Sequence, residues 1–297
     1  MMVETELTWV WWGSMVAISV LNIVVCCLLW ADLLPLAASP RGAATMKYAV
    51  RLRWLAVPLV LQCAWRSVFP SVYNSRQTFF DTPLNSIIID RTLAAVGEVT
   101  WMTQVALAMV HVSGQLNACP GVLKAAGCVI VAFSICGEAC SYTGVVTTSC
   151  LFEVFEESFW TAVYVVGALC GVFLFGKCRR LDRSPSHTAK AFSLALILQG
   201  IVVIPYQLGS YLPTYYGRWQ DDQRAGKRYL GFWEGLRDAV VRREPTRHWD
   251  AWRPEWLWMS VYFSVCVWTS ILLTLAPRIY NSEDLGTRIL EPREPKP

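Results

Sequence analysis

Charge is scarce in this sequence. Only 16% of its 297 residues are Asp, Glu, Lys or Arg, against roughly 25% in a soluble domain. Histidine is scarcer still, at three residues, His111, His187 and His248. That excludes bis-histidine haem ligation within a bilayer and argues against a histidine-rich zinc site. No Walker loop, HExxH, GxSxG or GxGxxG occurs, so the common mechanistic motifs are absent. There is no CxxC pair, and no basic stripe along an exposed helix that would mark a nucleic-acid surface. The opening residues, Met1-Met2-Val3-Glu4-Thr5-Glu6, lack the basic n-region of a signal peptide. The first apolar run is therefore read as a retained span.

What the chain has instead is apolar sequence. It is 55% hydrophobic, with 15 Trp and 11 Tyr, residues that suit the two membrane–water interfaces. Seven runs approach or exceed the roughly 20 residues needed to cross a bilayer: Leu7–Leu34, Leu52–Phe69, Thr92–Ser113, Val122–Val145, Phe155–Phe175, Ala189–Leu212 and Trp256–Ala276. They are continuous rather than alternating, which selects helices over a barrel. The fold predicted is an all-α polytopic bundle of about seven transmembrane helices within residues 1–280, with the lipid bilayer as its first partner.

Positive charge sets the orientation. Arg41, Lys47, Arg51 and Arg53 crowd the first loop, Lys177, Arg179, Arg180, Arg183 and Lys190 the fifth, and Arg278, Arg288, Arg293 and Lys296 the tail. The N-terminus and the fourth loop carry none. The N-terminus is predicted outside and the C-terminus cytosolic, where the basic fifth loop would face a cytosolic partner. The sixth loop, 213–254, dissents with nine Lys and Arg, but long loops count less under the rule. Within it Tyr229, Phe232, Trp233, Leu236 and Val240 form the stripe of an amphipathic helix, expected either flat on the membrane interface or packed on other loops. The tail 281–297 is polar and proline-rich and is predicted disordered.

Carboxylates inside the apolar runs are the signal that points to function, because an ionisable group there costs at least roughly 2.5–3.5 kcal/mol to insert. Glu98 lies in the third run, Glu138 near the end of the fourth, and Glu156 and Glu157 in the first turn of the fifth, just after Glu153. With the N-terminus outside, all fall in the outer half of the bilayer. Arg66, Gln199 and Tyr206 are placed beside them by the same reckoning. The predicted site is thus an outward-opening polar vestibule of Glu98, Glu138, Glu156, Glu157, Arg66, Gln199 and Tyr206, suited to a small cationic ligand. The competing reading is a buried Glu–Arg pair, with Arg66 or Arg91, that only fixes helix packing. Lone His111 reads as a satisfied core or interface residue, and Gly167 with Gly171 as a close helix contact. Cys140 and Cys150, flanking the fourth loop, are candidates for a disulfide.

The seven-span plan invites comparison with retinal proteins and G-protein-coupled receptors. A retinal protein needs a lysine in its last span, and Trp256–Ala276 has none. Asp90-Arg91-Thr92 stands at the outer end of the third span, whereas the receptor acid–Arg motif stands at the inner end. Only Pro277 and Tyr280 match the end of a receptor PxxY. The sequence therefore leaves three classes: a transporter or channel for a cation, proton or amine; a receptor or sensor; and a membrane-embedded enzyme acting at the outer leaflet.

Overall fold

A long apolar run in a bilayer satisfies its backbone groups only by forming helix. The computed structural model, which describes residues 2–31, 42–180 and 187–274, is built accordingly. Asp32, Arg41, Arg183, the ends of the first and last runs at Leu34 and Ala276, Pro277, Tyr280 and the tail 281–297 lie outside the described residues. The long helices are α1 (Met2–Ala31), α2 (Gly42–Val68), α3 (Ile87–Gln115), α4 (Pro120–Thr147), α5 (Cys150–Arg180) and α6 (His187–Tyr206). α6 passes through a π turn at Gln207–Tyr211 into α7 (Leu212–Arg224), making one helix of 38 residues. The sequence reading ended that span at Leu212. Pro205 and Pro213 bracket the turn, and such a local π adjustment re-pairs backbone groups that proline frees. Two short helices follow, α8 (Phe232–Val241) and α9 (Trp249–Trp252). The last, α10 (Trp256–Val261), runs through a second π turn at Tyr262–Cys266 and on to Thr274.

Six of these helices are long and apolar enough to cross a membrane, among the described residues. α2 is not one of them, because Lys47, Arg51, Arg53 and Arg66 dilute its 27 residues. It is nonetheless the seventh member of the bundle. Trp30, at the end of α1, sits 4.9 Å from Trp54, midway along α2. At the other end Trp12 donates to the Val68 carbonyl at 3.1 Å. The second half of α2 therefore runs antiparallel to α1. Its Arg53 and Arg66 are buried, so the bundle rather than lipid meets their charge.

Sequential helices pack side by side from α1 to α6. Where α5 meets α6, a Cβ on Gly171 would lie 2.8 Å from the Ser193 carbonyl, and one on Gly200 would lie 2.5 Å from the Ala168 Cβ. Gly167 faces open space, so only one glycine of the pair makes the contact. Further down, Gln104 of α3 donates to the carbonyls of Leu52 and Ser270, and Ser270 returns a hydrogen bond to it. This ties α2, α3 and the last helix together.

One end of the bundle carries a cap made of two segments that lie between the predicted spans. β1 (Ser71–Val72) and β2 (Gln77–Thr78) form a hairpin, and β3 (Glu244–Pro245) joins β2 in parallel. Arg76, left-handed at φ 56°, is buried and donates to Asp238 of α8 at 2.7 Å and to the Val145 carbonyl at 2.9 Å. Trp252 is fully buried against Trp11 and Phe79. The expected amphipathic helix is α8, but Gly231 begins it and leaves Tyr229 outside. It docks through Gly235 and Ala239, not through its apolar stripe. Cys140 and Cys150 are both free thiols, so no disulfide joins them.

The glycine contacts make a prediction. Gly171→Ala drives a methyl into backbone and should cost about 1–3 kcal/mol, the usual range for overpacking. Gly167→Ala should leave stability unchanged or slightly raised. Thermal unfolding of the two variants in detergent checks this, and equal midpoints would refute the contact.

Candidate functional site

The cap end of the bundle gathers its buried charge. Arg66 lies in the last turn of α2 and Asp90 in the first turn of α3, the ends at which helix dipoles favour a cation and an anion. They pair at 2.9 Å, both nearly fully buried. Ser71 of the hairpin also donates to Asp90. Arg66 donates to the Tyr73 hydroxyl at 2.9 Å and lies within 6.0 Å of the ring centres of Tyr73, Trp258, Tyr262 and Phe263. Loss of water pushes the Tyr73 phenol up, against the opposing pull of Arg66. It therefore stays protonated as a hydrogen-bonding group.

Arg91, one residue on, is the hub. It pairs most closely with Glu138 of α4, and reaches Glu98 at 3.7 Å and Glu156 of α5 at 3.9 Å. Glu98, seven residues after Arg91, lies on the same helix face. It accepts from the Tyr262 hydroxyl at 2.8 Å, which in turn accepts from Gln62 at 3.1 Å. Glu98 and Glu138 lie within hydrogen-bonding reach of one another, as do Glu156 and Ser141. Beside this network Asn74 donates to Glu153, and Gln207 donates to Glu157 at 2.6 Å.

Carboxyls outnumber cations here. Asp90, Glu98, Glu138 and Glu156 stand within 4.0 Å of only Arg66 and Arg91. Repulsion among carboxyls so close is relieved by a proton or by a cation between them. The atoms left without hydrogen-bond partners tell the same story. Glu138 Oε1, Glu153 Oε2, Gln207 Oε1, Asn74 Oδ1 and Gln62 Oε1 are all acceptors; of the network's donors Arg66 Nε and Arg91 Nε share this shortage, and Arg66 Nε faces Asp90 Oδ1 at 2.9 Å. Each such buried group costs about 1–3 kcal/mol until something fills its need. An occupant that donates hydrogen bonds or carries positive charge fits these atoms. Among the described residues no group of three or more His, Cys, Asp or Glu is arranged to hold a metal ion.

Of the residues expected from sequence, Glu98, Glu138, Glu156 and Arg66 meet in one network, with Glu157 alongside. Tyr206 does not join them. It is 49% exposed and its ring rests on Tyr211, because the π turn that begins after it presents Gln207 to Glu157 instead. Gln199 lies elsewhere, lining a void of about 20 Å³ with Met102, Ile130 and Tyr164. The expected open vestibule is roofed, since Tyr73 and Asn74 of the hairpin reach the network and leave Glu98 and Glu156 only 12% and 13% exposed. Asp90, which the sequence places at the outer end of the third span but not among the site residues, joins the network, and its place one residue before Arg91 is the signal for it. Ser71, Tyr73, Asn74, Gln62 and Tyr262 carry no pattern that sequence alone exposes. His111 stacks on Tyr48 with ring centres 3.9 Å apart, well away from the acids.

Further buried polar groups lie toward the opposite end, separated from the network by apolar residues such as Leu59, Met102 and Val267. Gln104 is about 9 Å further along α3 than Glu98, and Ser270 about 12 Å beyond Tyr262, at 1.5 Å per residue. Past them, buried Thr274 and Arg53 face a small void beside Trp30. No protein-family description, curated protein or solved structure matches this chain.

The hub can be tested by stability alone. Arg91→Gln strands Glu138, Glu98 and Glu156 without their shared cation and should cost about 3–5 kcal/mol. Glu98→Gln leaves Asp90 on Arg66 and Glu138 on Arg91, and should unfold within a degree or two of wild type on that accounting. Thermal midpoints in detergent give the comparison, and a Glu98→Gln variant as damaged as Arg91→Gln would reduce the network to a packing device.

Proposed function

We propose that this multi-pass membrane protein is a transporter for a small cation, a proton or a protonated amine, with the acid–arginine network as its binding site. One observation carries the reading. The surplus carboxyls are tied to Tyr262 and Gln62, and a second set of buried polar groups, Gln104, Ser270 and Thr274, lies beyond them toward the far end of the bundle. A receptor or an outer-leaflet enzyme has no need of polar groups beyond its site, whereas a transported ion needs partners along its path. The two π turns support the same reading. Each places a donor on a carboxylate, Tyr262 on Glu98 and Gln207 on Glu157, and π turns gather at functional sites.

The cap, with the N-terminus, takes the outer side in this proposal. The opposite end carries Lys47, Arg51, Lys124, Lys177, Arg179, Arg180 and Lys190 in or beside short connections, which weigh more under the positive-inside rule than the nine Lys and Arg of the long 213–254 segment on the cap side. A receptor is the second reading. It draws on the roof, since Tyr73 contacts both arginines and would carry a ligand-induced shift of the cap into the network, with the basic α5–α6 connection meeting a cytosolic partner.

Purified protein in vesicles loaded with a pH-sensitive dye tests transport directly. A proton gradient, or methylammonium added outside, should collapse or create the internal pH difference faster than in empty vesicles. Glu98→Gln and Glu156→Gln should abolish that flux while the fold survives. Wild-type vesicles no leakier than empty ones to protons, sodium and methylammonium would defeat the proposal.

Orientation has its own check. In a chain stripped of native cysteines, Arg237→Cys should react with an impermeant maleimide on intact cells, and Lys47→Cys should react only after permeabilisation. The reverse pattern would turn the network toward the cytosol.

A further inference from the structure

α8 packs on the bundle by its smallest residues and leaves its largest uncovered. A Cβ on Gly235 would lie 1.9 Å from the Val146 carbonyl, and Ala239 is fully buried with Val145 and Ile87. Yet Phe232, Trp233 and Val240 are 47%, 78% and 44% exposed. At about 100° per residue, Phe232, Leu236, Val240 and Trp233 share roughly a 100° arc whose centre is opposite Asp238. Asp238 is the residue that Arg76 of the cap hairpin holds, so the apolar arc is directed away from the cap.

Height along the bundle says what lies in that direction. α4 has 28 residues, about 42 Å at 1.5 Å per residue, against about 30 Å of hydrocarbon and 40–45 Å with headgroups. Val145 and Val146, on which α8 rests, are in the last turn of α4 and thus at headgroup depth. Arg237, exposed at the margin of the arc, suits a lipid phosphate, and exposed Glu234 lies on the far side.

We infer that α8 is an interfacial helix whose face of Phe232, Trp233, Leu236 and Val240 lies in the outer edge of the bilayer and contacts lipid, so that the cap is moored to the membrane as well as to the bundle. A large apolar face beside a charged one is the form that lies in the interface plane. The inference stands apart from the transport reading and is tested without any flux assay.

The test uses the whole protein in phosphatidylcholine vesicles, with benzoylphenylalanine placed singly at 233, 240 or 234. All three positions are exposed, so the variants should fold, which their thermal midpoints verify. After irradiation, mass spectrometry should find lipid adducts at 233 and 240 several-fold above those at 234. Equal and low lipid labelling at all three positions, or crosslinks at 233 chiefly to a second copy of the chain, would overturn the inference. Should the benzoylphenylalanine at 233 perturb folding, the 240 and 234 pair carries the same comparison.

Discussion

A guanidinium cannot shed its proton in a protein interior, and Arg91 has been buried where three helices meet. The rest of the structure follows from satisfying it. Glu98 comes from its own helix, Glu138 from α4 and Glu156 from α5, so these three helices can pack only at the register that brings those carboxyls to one place. Arg66 does the same for α2 and α3 through Asp90, and for the hairpin through Tyr73. Its ring of aromatic neighbours adds the last helix through Trp258, Tyr262 and Phe263. Five helices and the cap are thus positioned by two charges. Such a device is a poor choice for stability alone. Well-packed apolar residues in place of a buried ion pair are often as stable or more so by about 1–4 kcal/mol. A packing role also accounts for equal numbers of acids and bases, and here the acids are in excess.

The parts of this architecture legible in the sequence were those governed by hydrophobic length. Six spans follow from composition, and α2 follows too once its arginines are recognised as inward-facing rather than as span breakers. The clustering of Glu98, Glu138, Glu156 and Arg66 was legible because depth along a helix is a matter of counting residues. Boundaries were less so. α3 and α5 begin five residues earlier than their apolar runs, since the charges of Asp90 and Arg91, and of Glu153, interrupt the hydropathy there, although an acid in the first turn suits the helix dipole. That left Asp90 outside the predicted run. Tyr206 and Gln207 exchange roles because of a single π turn, which shifts every later side chain around the helix and has no sequence signature beyond the nearby prolines. The roof over the site was invisible, since its contacts join residues such as Asn74 and Glu153 that are far apart in the chain.

The π turns also explain how two apolar helices deliver polar groups at little cost. Widening a turn frees backbone groups, and within a bilayer each must find a partner. The Phe263 carbonyl finds Asn22, buried on α1. The partner for the widened backbone therefore comes from a neighbouring helix, and Tyr262 is left free to reach Glu98. A local irregularity stabilised from outside is a feature that packing alone does not require.

The cap completes the argument by linking surface to site. Tyr73 and Asn74 touch the network from above, and two residues later Arg76 is fastened to Asp238 and to the end of α4. Asp238 and Arg76 thus join α8 to the hairpin, and Tyr73 and Asn74 join the hairpin to Arg66 and Glu153. The hairpin is only two residues long on each strand, and its third strand arrives from the far side of the cap. Its stability is borrowed from the aromatic cluster of Trp11, Phe79 and Trp252. Under the proposed function an ion arriving from the cap end would have to displace Tyr73 or Asn74, and these two stand in the turn of a hairpin whose strands have only two residues each.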